Sequence, residues 1–246
     1  MRSANQFIYQ VRDVVVPRRA GRHGPLPPLL LGLTFVTGLV DAFSYLVLGH
    51  VFVANMTGNV VFLAFALAGA PGFSLLAAVL ALAAFALGAL AGGGLASRLG
   101  HHRGRLLGGT AAVQVVLLLV SVVLAVIAHS PVPAGFRYSL IVVLAASMGL
   151  QNATARRLAV PDLTTTVLTL TITGIAADST LVGGGGTKAG RRLVSVAAML
   201  VGALIGALFV LHAQTVWPLV IALVAVAAIA VTAQVSARSD PAWARG

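Results

Sequence analysis

Long apolar stretches separated by short polar gaps run through the chain from Leu29 to Val235. Six are continuous enough to cross a bilayer as helices: Leu29–Leu48, Phe73–Ala96, Leu106–Ala128, Tyr138–Ala155, Leu193–Leu211 and Val216–Val235. A crossing needs about 20 predominantly apolar residues. The fourth is the most polar, with Ser147, Gln151 and Asn152 inside it. Two further segments are ambiguous. Val51–Ala70 carries Asn55-Met56-Thr57-Gly58-Asn59 ahead of a short apolar run, and Leu163–Val182 is rich in threonine from Thr164 to Thr173. Each of these either crosses or dips into the membrane and returns.

Basic residues arbitrate between the two schemes. If all eight segments cross and the N-terminal segment is inside, the loop with Arg98, Arg103 and Arg105 falls outside, against the positive-inside rule. If the two ambiguous segments re-enter, that loop moves inside. Arg156, Arg157, Lys188, Arg191, Arg192, Arg238 and Arg245 are then inside too, and Arg137 alone among the sixteen Lys and Arg residues stays outside. The pattern predicts an all-α, polytopic bundle with six spans, two short re-entrant or broken helices and both termini in the cytoplasm. An eight-span bundle is the alternative.

The two halves also resemble each other. Gly38-Leu39-Val40-Asp41-Ala42 matches Gly149-Leu150-Gln151-Asn152-Ala153, Asn55-Met56-Thr57 matches Asp162-Leu163-Thr164, and Gly88-Ala89-Leu90-Ala91-Gly92 matches Gly202-Ala203-Leu204-Ile205-Gly206, in the same order and at offsets of 111, 107 and 114. Three spans separate equivalent positions, so a duplication here is an inverted 3+3 repeat. Such repeats with broken helices recur in secondary transporters, whose sites lie near the midplane. The expected organisation is a basic cytoplasmic tail over residues 1–28, a transmembrane domain over 29–236 and a cytoplasmic C-terminal tail over 237–246. Repeat one covers about 29–128 and repeat two about 138–235. The first 28 residues hold five arginines but no apolar core of a signal peptide.

Composition agrees. Hydrophobic residues make up 59% of the 246, charged residues only 9%, and mean hydropathy is +1.02, whereas soluble domains carry about 25% charged residues. The surrounding solvent is therefore lipid. The net charge of +11 needs no nucleic-acid partner, because topology already accounts for it. The absence of cysteine removes disulfide and thiolate chemistry.

Candidate chemistry is confined to polar groups within spans. Asp41 lies in the middle of the first span, where a charge costs at least about 2.5–3.5 kcal/mol. It is either a proton or cation site or a structural aspartate bonded to a neighbouring element. Asn152 is its repeat counterpart, with Gln151 beside it, and both are candidates for substrate contact or for bonding helices together. Asn55, Thr57, Gly58 and Asn59 open a short helix whose positive end could face a ligand, or they form an ordinary cap. Thr164 and Thr165, after Pro161-Asp162, read the same way in the second half. Asp162 reads as an N-cap and Asp178 as a partner for Lys188 or Arg191. The Gly-x-x-x-Gly pairs are read as close helix packing. His101 and His102 are read as solvated, and neither a metal site nor a cofactor site is predicted.

Gly38-x-x-Asp41-Ala42, Leu48-Gly49-x-x-Phe52 and Met56-Thr57-Gly58-Asn59 resemble the signature of the YoaK-like bacterial membrane proteins. Gly149-Leu150-Gln151-Asn152-Ala153 and the run Thr164–Thr166 are similar to that family's second block, so the resemblance covers roughly residues 29–235. In this chain the glycine expected soon after the threonines is delayed to Gly174. The resemblance implies a multi-pass protein of the plasma (inner) membrane and no particular ligand.

The function expected from the whole is a small-solute transporter or permease with a polar midplane site, coupled to a proton or cation. The alternative is a non-transporting membrane scaffold or accessory subunit. With no nucleophile–base set visible, an enzyme is not expected. The partners expected are the lipid bilayer and an unidentified small solute, with a homo-oligomer left open.

Overall fold

The computed structural model of the chain describes residues 9–12, 14–16, 22–129, 131–161, 163, 165, 168–177, 189–212, 214–238 and 242–245. Six long helices carry the fold: α1 Leu26–Val47, α3 Leu75–Leu99, α4 Arg103–Ala128, α5 Ala134–Leu158, α7 Ala189–His212 and α8 Trp217–Ala237. All six are long and apolar enough to cross a membrane. Two short helices lie between them, α2 Met56–Leu67 and α6 Leu168–Ala177. Helix α2, at 12 residues, reaches only about 18 Å at 1.5 Å per residue, and the described part of α6 is 10 residues. Helix α2 is therefore too short to cross a hydrocarbon layer of about 30 Å. The six expected spans and the two shorter elements are thus all present.

The helices overrun the apolar stretches by a few residues, for local reasons. Helix α1 starts at Leu26, with proline in its first turn, where a missing N–H removes no intrahelical bond. Ser74 caps α3 by accepting the Ala77 N–H at 3.2 Å. His102 caps α4 in the same way, its Nδ1 accepting from Arg105 N–H at 3.2 Å. His102 is buried and pairs with Arg245 through a single bridge, which corrects the expectation that it is solvated. The polar ring has found the unsatisfied donors of a helix end.

Helices α1 and α5 are the most enclosed, and α7 is the least. The outer faces are apolar: Leu87, Leu90, Leu200, Val224 and Val231 are all well exposed. A surface of this kind is stable against lipid and not against water.

Packing is reciprocal between the two halves. The most extensive contacts are α3 with α5 and α1 with α7, followed by α4 with α8. Exchanging α1–α4 for α5–α8 leaves this set of pairs unchanged. The detail repeats as well. A Cβ on Gly88 would collide with the carbonyl of Ala146, and one on Gly202 with the carbonyl of Phe35. A Cβ on Gly92 would meet Ala153 and Leu150, and one on Gly206 would meet Ala42 and Leu39. Gly38 lies against Met199 and Ala203, as Gly149 lies against Phe85 and Ala89. Every partner is displaced by the same 111 or 114 residues as the sequence matches. The Gly-x-x-x-Gly pairs therefore serve close backbone contact.

One end of the bundle gathers segments from the whole chain. Arg103 donates to the Leu158 carbonyl at 2.6 Å and lies 3.3 Å from His23 Nδ1. Trp243 packs on Gly24 and Gly104. Residues preceding α1, the α3–α4 loop, the end of α5 and the C-terminal turn Ala242–Ala244 thus share one end. An eight-crossing arrangement would put Arg103 and His23 on opposite sides, so this contact excludes it.

The glycine seams give a direct test. Gly88→Val and Gly202→Val should each cost about 1–3 kcal/mol, because the branched side chain must push two backbones apart. Gly93→Val, at a position with open space, should leave stability close to wild type. Thermal unfolding in detergent measures all three, and equal melting temperatures for Gly88→Val and Gly93→Val would refute the seam.

Candidate functional site

The candidate site grows out of the end of α1. After Val47 the chain reverses through Gly49 and His50, both at positive φ (89° and 55°). Residues 51–54 follow without helical structure, and Val51, Val53 and Ala54 are buried. Buried non-helical backbone needs hydrogen-bond partners, and two side chains supply them. Asp41 Oδ1 accepts the N–H groups of Val53 (3.1 Å) and Ala54 (2.9 Å). Asn59, from α2, accepts the Phe52 N–H at 2.9 Å and donates to the Phe52 carbonyl at 2.6 Å. Its amide pairs with Phe52 as a neighbouring peptide unit would.

The helix start here differs from an ordinary cap. Asn55 occupies the N-cap position of α2 but makes no side-chain cap bond. Asn55 and Thr57 are exposed. Gly58 lets the Phe52 ring close in, since a Cβ there would meet that ring at 2.8 Å. Phe52 stacks between Tyr45 and Phe62 at centroid distances of 5.1 and 5.5 Å. The positive end of α2 therefore already has a negative partner close by, because Asp41 binds the amides just ahead of it.

Asp41 is 4% exposed, and its second oxygen, Oδ2, is buried without a hydrogen-bond partner. That oxygen is the chemically open atom of the site. It has acceptor capacity as a carboxylate and a donor when protonated.

A second polar cluster joins α1, α4 and α5. Gln151 is fully buried, donates to Thr37 Oγ1 at 2.9 Å and accepts from Gln114 Nε2 at 2.7 Å. Thr110 and Thr154 are hydrogen-bonded at 2.9 Å. Gln114 Oε1 and Ser147 Oγ are buried without partners. Thr37 is one turn before Asp41, so α1 links the two clusters. Asn152 donates to the Met148 carbonyl of its own helix at 2.9 Å.

The structure thus brings Asp41 together with Asn59, and Gln151 together with Thr37 and Gln114. In the second half, Thr165 is buried at φ 63° with its hydroxyl unpartnered, a strained conformation for a β-branched residue. Thr164, Asp162 and Asp178 lie outside the described residues. Two cavities stand out, one among the basic residues at the shared end and one beside His129 and Trp217. Neither is lined by Asp41, Asn55, Thr57, Gly58, Asn59, Gln151, Asn152 or Thr165. Sequence reasoning passed over Thr37, Thr110, Gln114 and Thr154. Gln114 carried the same signal as Gln151, an amide within a hydrophobic span.

Six apolar helices around a buried polar layer define a multi-pass helical membrane protein. The chain belongs to the family described as "Protein of unknown function (DUF1275)", which it matches over residues 29–232. It is 33% identical over 152 residues to the UPF0700 transmembrane protein YoaK of Bacillus subtilis (strain 168). That match covers 61% of this chain and 65% of the relative, a little under two thirds of the relative's length. No solved structure matches the chain. Family and relative agree with the resemblance read from the motifs.

The amide pair offers a measurable coupling. Gln114→Leu and Gln151→Leu should each lower stability by about 0.6–1.7 kcal/mol, the range for interhelical polar bonds in membranes. The double variant should cost clearly less than the sum, as expected for residues that share a bond. Strict additivity in a double-mutant cycle would mean that the two amides do not interact.

Proposed function

We propose that the protein is a small-solute transporter or permease of the plasma membrane, with Asp41 as its ion-coupling group. The observation that carries this reading is the divided carboxylate. One oxygen holds the re-entrant loop and the other is buried and unpartnered in the middle of a span. A structural aspartate needs only the first. An intramembrane acid with a spare oxygen can take up a proton or a cation, which is the usual role of such residues.

The reciprocal glycine contacts support an inverted 3+3 repeat, with α1–α4 as one unit and α5–α8 as the other. Three spans, α1, α3 and α4, precede α5, so the second unit enters from the opposite side. Helices α2 and α6 are then the re-entrant elements of the two units. In transporters of this architecture the repeats rock about a midplane site. Solute contact would fall to Asn55, Thr57, Asn152 and Thr165. Gln151 and Asn59 are better read as supports, since their side chains are engaged with the protein itself.

A non-transporting scaffold is the second reading. The bonds among Thr37, Gln114 and Gln151 favour it, because they hold three helices together.

Asp41→Asn separates the two. Asparagine keeps an acceptor oxygen for the Val53 and Ala54 amides, so expression and melting temperature should stay near wild type. The substitution removes the ionisable acid. In a deletion strain screened against a solute panel, the wild-type gene should restore uptake of at least one solute. Asp41→Asn should abolish the pH dependence of that uptake. Normal uptake across pH by Asp41→Asn would remove the coupling role. A full panel without any wild-type uptake would favour the scaffold.

The arginine distribution supports a cytoplasmic position for the shared basic end. Reporter fusions after Arg103 and after Lys188 should therefore both give cytoplasmic signals. A periplasmic signal from either would overturn this orientation.

A further inference from the structure

The basic end of the bundle carries an open cleft of about 610 Å3, within the size range of small-ligand sites. Its lining draws together parts of the chain that are remote in sequence: Arg22 and His23 ahead of α1, Arg103 at the start of α4, Arg157 near the end of α5, and Trp243 and Arg245 after α8. Among the described lining residues there is no carboxylate.

We propose that this cavity is a binding site for a phosphate-type oxyanion. Topology explains why arginines are at this end but not why they converge. The positive-inside bias is satisfied by arginines anywhere in the loops, and like charges left to themselves spread into water. Here the exposed Arg22 and Arg157 and the half-buried Arg103 line one cleft instead.

The cleft is built on fixed groups. Arg103 is half-buried, with its guanidinium fixed by the Leu158 carbonyl at 2.6 Å and His23 Nδ1 at 3.3 Å. A guanidinium held in this way meets an oxyanion without further loss of freedom. Trp243 is buried and forms a wall, seated on Gly24 and Gly104. Arg157 is exposed and approaches the cavity from the side of Gly100. All the cationic side chains named, apart from the histidine, are arginines, whose planar forks suit phosphate oxygens. The phosphate could belong to an anionic lipid headgroup or to a free phosphate compound. This site is separate from Asp41 and stands whether or not the protein transports.

The full chain in phosphatidylcholine nanodiscs provides the test. In one arm phosphatidylglycerol is titrated into the disc lipid. In the other, inorganic phosphate is added at ionic strength matched with chloride. Melting temperature and native mass spectrometry are the readouts. Wild type should gain melting temperature in at least one arm, and that arm identifies the source. The double variant Arg22→Gln/Arg157→Gln should need roughly tenfold more ligand for the same gain. A control of equal charge, Arg98→Gln/Arg238→Gln, alters arginines that do not line the cavity and should respond as wild type. If the double variant is unstable without ligand, Arg157→Lys replaces it. That variant keeps the charge but loses the fork, and should weaken the response severalfold. No gain in either arm would overturn the site. So would an equal loss in the control, or an unaltered response in whichever cavity variant is used.

Discussion

A backbone amide shut away from water must find a partner within the protein, and this requirement governs the first half of the molecule. Residues 52–54 lack helical bonds of their own, and Asp41 and Asn59 supply them. The short helix α2 can begin where it does because the loop before it is held. The stacking of Phe52 and the contact of α2 with α3 accompany those bonds. Each unmade bond would cost on the order of 1–3 kcal/mol, so the loop has little freedom to leave Asp41 while its other contacts stay intact.

Close backbone packing is the second constraint. Helices in lipid gain nothing from hiding leucine, because the solvent is as apolar as the side chain. They gain from approach, and approach requires small residues. The paired glycines on α3 and α7 let α5 and α1 come within backbone contact. The same solution appears twice, with each partner shifted by the spacing of its half. Polar pairs such as Gln114–Gln151 add direction to a contact that would otherwise allow sliding.

The spans were legible because each is a run of apolar residues long enough to cross, and a period needs no partner to be read. The span ends were blurred. The first span was expected to start at Leu29, whereas the helix starts at Leu26 and accepts Pro27 and Pro28 in its first turn. The short elements were legible as interruptions in hydrophobicity, and the arginine distribution decided between crossing and returning. The site was half legible. Asp41 stood out by its cost in a span, and Asn59 by its place in the motif. Their partners did not, because those are backbone amides, which leave no mark in a sequence. Gln114 was hidden in a Val- and Leu-rich helix until Gln151 was found opposite it. His102 was misread because its value as a cap depends on the turn around it, not on residue type.

The pairing of α1 with α7 bears on how the protein is made. The first span leaves the ribosome long before its main partner, with the chain from Val47 to Ala189 still to be synthesised. At 5–20 residues per second this is a wait on the order of ten seconds. Throughout it, α1 presents Thr34, Thr37, Ser44 and Asp41 to whatever surrounds it. The polar burden of the helix is met locally. Thr34 and Thr37 bond back to the carbonyls of Leu30 and Leu33, and Ser44 bonds to that of Asp41. Asp41 Oδ1 is met by Val53 and Ala54, which follow within 13 residues. The bonds that tie α1 to the loop before α2 lie within one short stretch of chain, while the glycine face of α1 finds its partner only in the fifth span.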